Sequence, residues 1–141
     1  MTPPELLSRR PPIVLCQSDR AALERTALLG MLEAPRIAGP LLEEVDRAAV
    51  VPDDRLESDR VRLGSFVIYR DEAVGQEFST RLVEDRRPGA VDELSILSSD
   101  GAALVGLRVG QSILWGDGRG VERLITVLRT WHSAASEGGL R

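Results

Sequence analysis

The sequence predicts an α+β fold in which a short antiparallel helical hairpin precedes an antiparallel β-sheet carrying one short helix. Three observations carry that prediction. Residues 20–32 are rich in Ala and Leu and hold no glycine except Gly30, which favours helix. Leu41, Val45, Ala48 and Ala49 recur at i, i+4, i+7 and i+8, the spacing of one buried helix face. Beyond about residue 60 the pattern becomes β-like, in short apolar runs between glycine-containing turns.

Taken in order, residues 1–12 contain Pro3, Pro4, Pro11 and Pro12 and read as a flexible or extended tail. The hairpin spans 13–52. Ile13-Val14-Leu15 is a small strand or anchor, and Ser18 or Asp19 offers a capping oxygen for the first helix. Ala21, Leu28, Met31 and Leu32 form its expected apolar stripe. Pro35, Gly39 and Pro40 predict a connecting loop, and the second helix runs from Pro40 to Val50. The two arms are about 15 and 11 residues, roughly 22 and 16 Å long.

Residues 53–59 are a polar linker, and 60–131 form the sheet domain. Its strands are expected at Val61 to Tyr69 (with Gly64 a bulge or turn), Gln76 to Val83, Leu94 to Leu97, Gln111 to Trp115 and Val121 to Thr130. A short helix from Asp100 ends at Gly106, and Gly116 to Gly120 close a hairpin. Residues 132–141 are a second tail.

Composition narrows the chemistry. Eighteen basic and 22 acidic residues give a net charge of −4, which argues against direct, sequence-specific nucleic-acid binding as the main function. Every basic residue is Arg, so neither a Schiff base nor a lysine-dependent phosphate loop is available. Gly116, Gly118 and Gly120 join strands and open no helix, so they do not make a helix-terminus phosphate site. Cys16 and His132 are the only soft ligands and stand far apart in sequence, so neither a metal site nor a Cys–His nucleophile is expected. No cofactor is implied. No run approaches the ~20 apolar residues of a membrane span, and the N-terminus lacks a signal-like apolar region, so the expected compartment is the cytoplasm.

The second half resembles a known family. Leu94-Ser95-Ile96-Leu97-Ser98-Ser99, Ala103-Leu104-Val105-Gly106 and Val109-Gly110-Gln111-Ser112-Ile113 are similar to the C-terminal domain of GreA/GreB transcript-cleavage factors. Arg60-Val61-Arg62-Leu63-Gly64-Ser65 and Gly75-Gln76-Glu77 match that domain's first strand and turn. The short hairpin and the stretch from Gly101 to Gly110 resemble more closely the Rnk-like branch, the regulators of nucleoside diphosphate kinase.

The resemblance implies an FKBP-like sheet preceded by a truncated coiled coil. It also implies docking at the secondary channel of RNA polymerase, with DNA met only through the polymerase complex. The implied partner-binding residues are Leu97, Ser98, Ser99 and Asp100, where Leu97 replaces an acid and Ser99 a proline of the Gre pattern. Gre hairpins carry two carboxylates at the tip to hold Mg²⁺, and a hard cation needs such oxygen ligands. Here the expected tip, Ala34 to Gly39, holds one charge, Arg36, flanked by Glu33. Glu43, Glu44 and Asp46 form a solvated acidic face, or in the functional reading one that steers the hairpin into a basic channel. The expectation is a non-enzymatic transcription regulator that competes with longer channel-binding factors and stimulates no cleavage. Two alternatives remain at this point: an FKBP-like prolyl isomerase, and an adaptor acting on nucleoside diphosphate kinase.

Overall fold

A computed structural model describes residues 10–116 and 120–132. The expected tails therefore fall largely, and the centre of the Gly116–Gly120 hairpin entirely, outside the described residues. The chain begins with strand β1 (Val14–Cys16) and helix α1 (Gln17–Gly30), followed by helix α2 (Pro35–Arg47) and strand β2 (Ala49–Val51). A 3-10 turn at Asp53–Arg55 leads to β3 (Phe66–Asp71), β4 (Gln76–Val83) and β5 (Glu93–Ser95). Helix α3 (Ser99–Leu104), β6 (Ser112–Gly116) and β7 (Glu122–Trp131) complete the order.

The mixed α+β class is what the sequence predicts, with two departures in the sheets. The five-stranded sheet runs β5-β4-β3-β7-β6, and its β4–β5 pair is parallel rather than antiparallel. A separate parallel pair joins β1 to β2, with Val14 opposite Ala49. On β3 the side chains alternate as a half-buried sheet requires: Val67, Tyr69 and Asp71 face the core, and Phe66, Ile68 and Arg70 the other side. Residues 61–65, expected as strand, are irregular; Ser65 N–H turns back to the Arg62 carbonyl at 2.9 Å.

The helices correct several expectations. α2 starts at Pro35, five residues earlier than expected, because proline at the first helical position loses no hydrogen bond and brings its φ ready-made. Pro40 and Gly39 lie inside the helix instead of ending the connection. The connection is Met31–Ala34, so its charged residue is Glu33, and Arg36 sits on the first turn of α2. Neither Ser18 nor Asp19 caps α1 in the expected way. Cys16 is the capping residue, and the exposed Ser18 N–H is taken by the Asp53 carboxylate at 2.9 Å.

The buried face of α1 is Asp19, Leu23, Ala27 and Gly30, not the stripe expected from spacing. Leu28, Met31 and Leu32 are exposed, as is Ala21. On α2, Leu41 and Val45 are buried as their spacing requires, but the helix ends at Arg47 rather than Val50: Ala48 is its half-buried C-cap and Ala49, exposed, opens β2. A continuous core joins Leu15, Leu23, Leu41 and Val45 to Val61, Leu82, Ile96, Leu104, Ile113 and Ile125. Helix pair and sheet thus share one interior.

Candidate functional site

The helix pair is fixed to the sheet at its base. Asp19, 5% exposed, accepts the Leu63 N–H at 2.9 Å. Burial pushes its carboxyl above the ordinary range, while the Leu63 N–H and the charge of Arg62 pull it back. Val14 N–H donates to the Gly106 carbonyl at 3.3 Å. Gly106 has φ +81°, and a Cβ there would lie 2.9 Å from the Ile13 Cβ, so only glycine fits both the backbone and the space.

The acidic face expected on α2 is not uniformly solvated. Glu44 is buried, and it pairs with Arg47 at i+3 and with Arg10 at 3.3 Å. Glu43 is exposed and meets Arg10 at 2.9 Å. Glu44 is therefore a fixed anchor, because a buried carboxylate without partners would be costly.

At the other end of the pair the surface is apolar. Leu28 is 56% exposed, Leu29 68% and Leu32 89%, with Met31 beside them. Gly30 lies between this ridge and the sheet: a Cβ there would stand 3.0 Å from Leu97 and 3.3 Å from the Ala38 Cβ. A groove of about 440 Å³ follows, lined by Leu29, Glu33, Glu84, Asp85 and Leu97 among others. Thr26 on α1 donates across it to Glu84.

Of the sequence-identified residues, the structure brings Glu33 and Leu97 onto this one groove. Arg36 lines a different depression with Arg10, Pro40 and Trp115. Ser98 caps α3: its Oγ accepts the Gly101 N–H at 3.1 Å and donates to the Ser95 carbonyl at 2.6 Å. Ser99 Oγ reaches the Gly116 carbonyl at 3.4 Å. Asp100 accepts the Tyr69 hydroxyl at 2.8 Å and pairs with Arg123, which also holds Asp71 at 2.8 Å. These three side chains are engaged within the fold and do not line the groove; of the four, Leu97 is the one that reaches it.

Leu29 belongs to the site but not to the expected stripe. Its signal was four apolar residues in Leu28-Leu29-Gly30-Met31-Leu32, more than one helix face can bury. Cys16 is buried, and burial raises its thiol above the usual range, so it is an inert packing residue. Among the described residues no group of three or more His, Cys, Asp or Glu could hold a metal ion, and no helix is long and apolar enough to cross a membrane. Four of the five aromatic rings form two stacked pairs, Tyr69 with Phe78 and Phe66 with Trp131, and the fifth, Trp115, lies under the Arg10 guanidinium.

No protein-family model matches the chain. It is 32% identical over 135 residues to the regulator of nucleoside diphosphate kinase of Escherichia coli strain K12, covering 92% of this chain and 96% of that protein. The protein of the same name from Shigella flexneri matches to the same extent. Among solved structures, the prokaryotic transcription elongation factor GreA/GreB from Nitrosomonas europaea superposes with a TM-score of 0.63 at 29% identity, over 87% of this chain and all of that one.

Proposed function

The chain belongs to the family of the regulator of nucleoside diphosphate kinase, and from that premise we propose that it is an RNA polymerase-binding transcription regulator without transcript-cleavage activity. The contact is the exposed ridge Leu28, Leu29 and Leu32 together with Leu97, at the entrance of the polymerase secondary channel. The helix pair acts as a truncated coiled coil on an FKBP-like sheet domain.

One observation carries this reading: large apolar side chains cluster at the end of a helix pair whose other end is anchored. Scattered exposed leucines are ordinary on a soluble protein, but a contiguous group beside a groove marks a contact surface. The likeness to a transcription elongation factor over most of the chain points to the partner. The connection Met31–Ala34 offers one carboxylate, Glu33, and a catalytic Mg²⁺ is held by more than one.

Co-sedimentation with core RNA polymerase tests the proposal. The chain is expected to travel with the polymerase and to be displaced by excess Gre factor, while releasing no short 3′ RNA from a backtracked complex. Absence of association, or release of RNA, contradicts it. The relatives' name favours a second reading, an adaptor on nucleoside diphosphate kinase. Parallel pull-downs with purified kinase and with polymerase decide between the two.

A further inference from the structure

A second cavity, of about 390 Å³, lies between the segment around residues 56–62 and the end of β7. Its walls include Glu57, Arg60, Arg62, Thr130, Trp131 and His132. Arg60 and Arg62 alternate about Val61, which is buried in the core, as extended chain requires.

The two guanidinium groups are incompletely used by the fold. The Arg60 side chain is only 10% exposed, and its Nη1 donates to the Gly106 carbonyl at 3.1 Å. Its Nε is buried with no hydrogen-bond partner; the Glu57 carboxylate stands at 3.6 Å, an ion pair too long for a hydrogen bond. Arg62 Nε is likewise buried and unpartnered. The acids that feel its charge are engaged elsewhere, Asp19 by Leu63 N–H and Asp53 by Ser18. Glu57 itself is held by Arg108 at 3.0 Å. Both arginines line the cavity, neither Nε is spent on a hydrogen bond within the protein, and forked guanidinium groups match phosphate oxygens.

The cavity wall continues into an aromatic surface. Trp131, 39% exposed, stacks on Phe66 with centroids 5.6 Å apart. Arg129 lies 5.1 Å from the Trp131 ring and Arg81 5.6 Å from the Phe66 ring. Such a cation–aromatic array suits a flat, electron-rich base.

We propose that this cavity is a nucleotide site, with Arg60 and Arg62 taking phosphate oxygens and Trp131 the base. None of its residues belongs to the ridge or to the Leu97–Asp100 segment, so it stands or falls separately from polymerase binding. The ligand chemistry is a phosphate joined to a base, whether in a free nucleotide or within a single RNA strand.

Calorimetric titration of the full chain with ATP, pyrophosphate and adenosine tests it, with no polymerase present. ATP is expected to bind, and pyrophosphate and adenosine about tenfold more weakly or worse, since each lacks one half of the contact. Arg62→Gln should cost about tenfold in ATP affinity, and its melting temperature, read in parallel, should show a folded chain, lower only by the loss of the charge that Asp19 feels. Trp131→Leu should weaken ATP but leave pyrophosphate unchanged. Arg20→Ala, on α1 and outside the site, should change nothing. No binding at millimolar ATP, equal binding by Arg62→Gln, or adenosine or pyrophosphate binding as well as ATP would each overturn the proposal. Displacement of ATP by a short single-stranded RNA assigns the site to a strand, and failure to displace assigns it to free nucleotide; either upholds it.

Discussion

The two ends of the helix pair are built by opposite rules. At the base, Asp19 reaches Leu63, Ser18 reaches Asp53, Glu44 collects two arginines, and Gly106 lets Ile13 approach the sheet closely. At the far end, Leu28, Leu29 and Leu32 face solvent. The base spends its polar groups on holding the helices in place, whereas the tip leaves apolar area unburied that folding alone would hide. That contrast separates residues kept for stability from residues available to a partner.

Truncation gives the largest test of the contrast. Leu41→Ala removes a fully buried side chain and should cost about 3 kcal/mol in urea denaturation, whereas Leu32→Ala should stay within about 0.5 kcal/mol. A similar loss at both positions would erase the distinction. Next comes Gly106→Ala, where a left-handed backbone and the Ile13 contact together should cost about 2 kcal/mol and loosen β1 first. Hydrogen exchange at Val14 and Ala49 would report that loosening, and unchanged protection there would contradict it.

The smallest effect concerns pH. Because burial raises the Asp19 carboxyl, the native chain keeps that proton to higher pH than the unfolded chain does. Its contribution to stability is full below the ordinary carboxylate range, near pH 4, and is lost as pH rises through the raised native value. Asp19→Asn keeps an acceptor for Leu63 without the charge. Its stability relative to the natural chain should therefore improve from about pH 4 toward neutrality. A pH-independent difference would show that Asp19 titrates alike in both states.

The same contrast explains how far the sequence could be read. β4 is found at the expected Gln76–Val83, and β6 and β7 are found within a residue of expectation, because alternation and glycine turns mark them locally. α2 was legible at Leu41 and Val45, whose spacing of four marks one face, but not at Ala38 and Glu44, which complete that buried face. α1 was not. Apolar residues surround much of its second half, so spacing alone does not choose a face. The face actually buried uses Gly30, Ala27 and a charged Asp19, which only the contacts with Leu97 and Leu63 select.

The site residues divide in the same way. Ser98 stands directly before a short helix, where a side-chain oxygen commonly caps, and it caps α3. The pairing of Asp100 with Tyr69 and Arg123 joins residues 31 and 23 positions apart, which no local pattern announces. The expected position of Glu33 and Arg36 shifted because Pro35 opens α2 rather than breaking the chain.

The most direct test of the account combines Leu28→Ser, Leu29→Ser and Leu32→Ser in one variant and measures its co-sedimentation with core RNA polymerase. The variant should melt within a few degrees of the natural chain and yet lose most of its association with the polymerase. Undiminished association by a folded variant would show that the apolar end of the helix pair is not the surface that meets the partner.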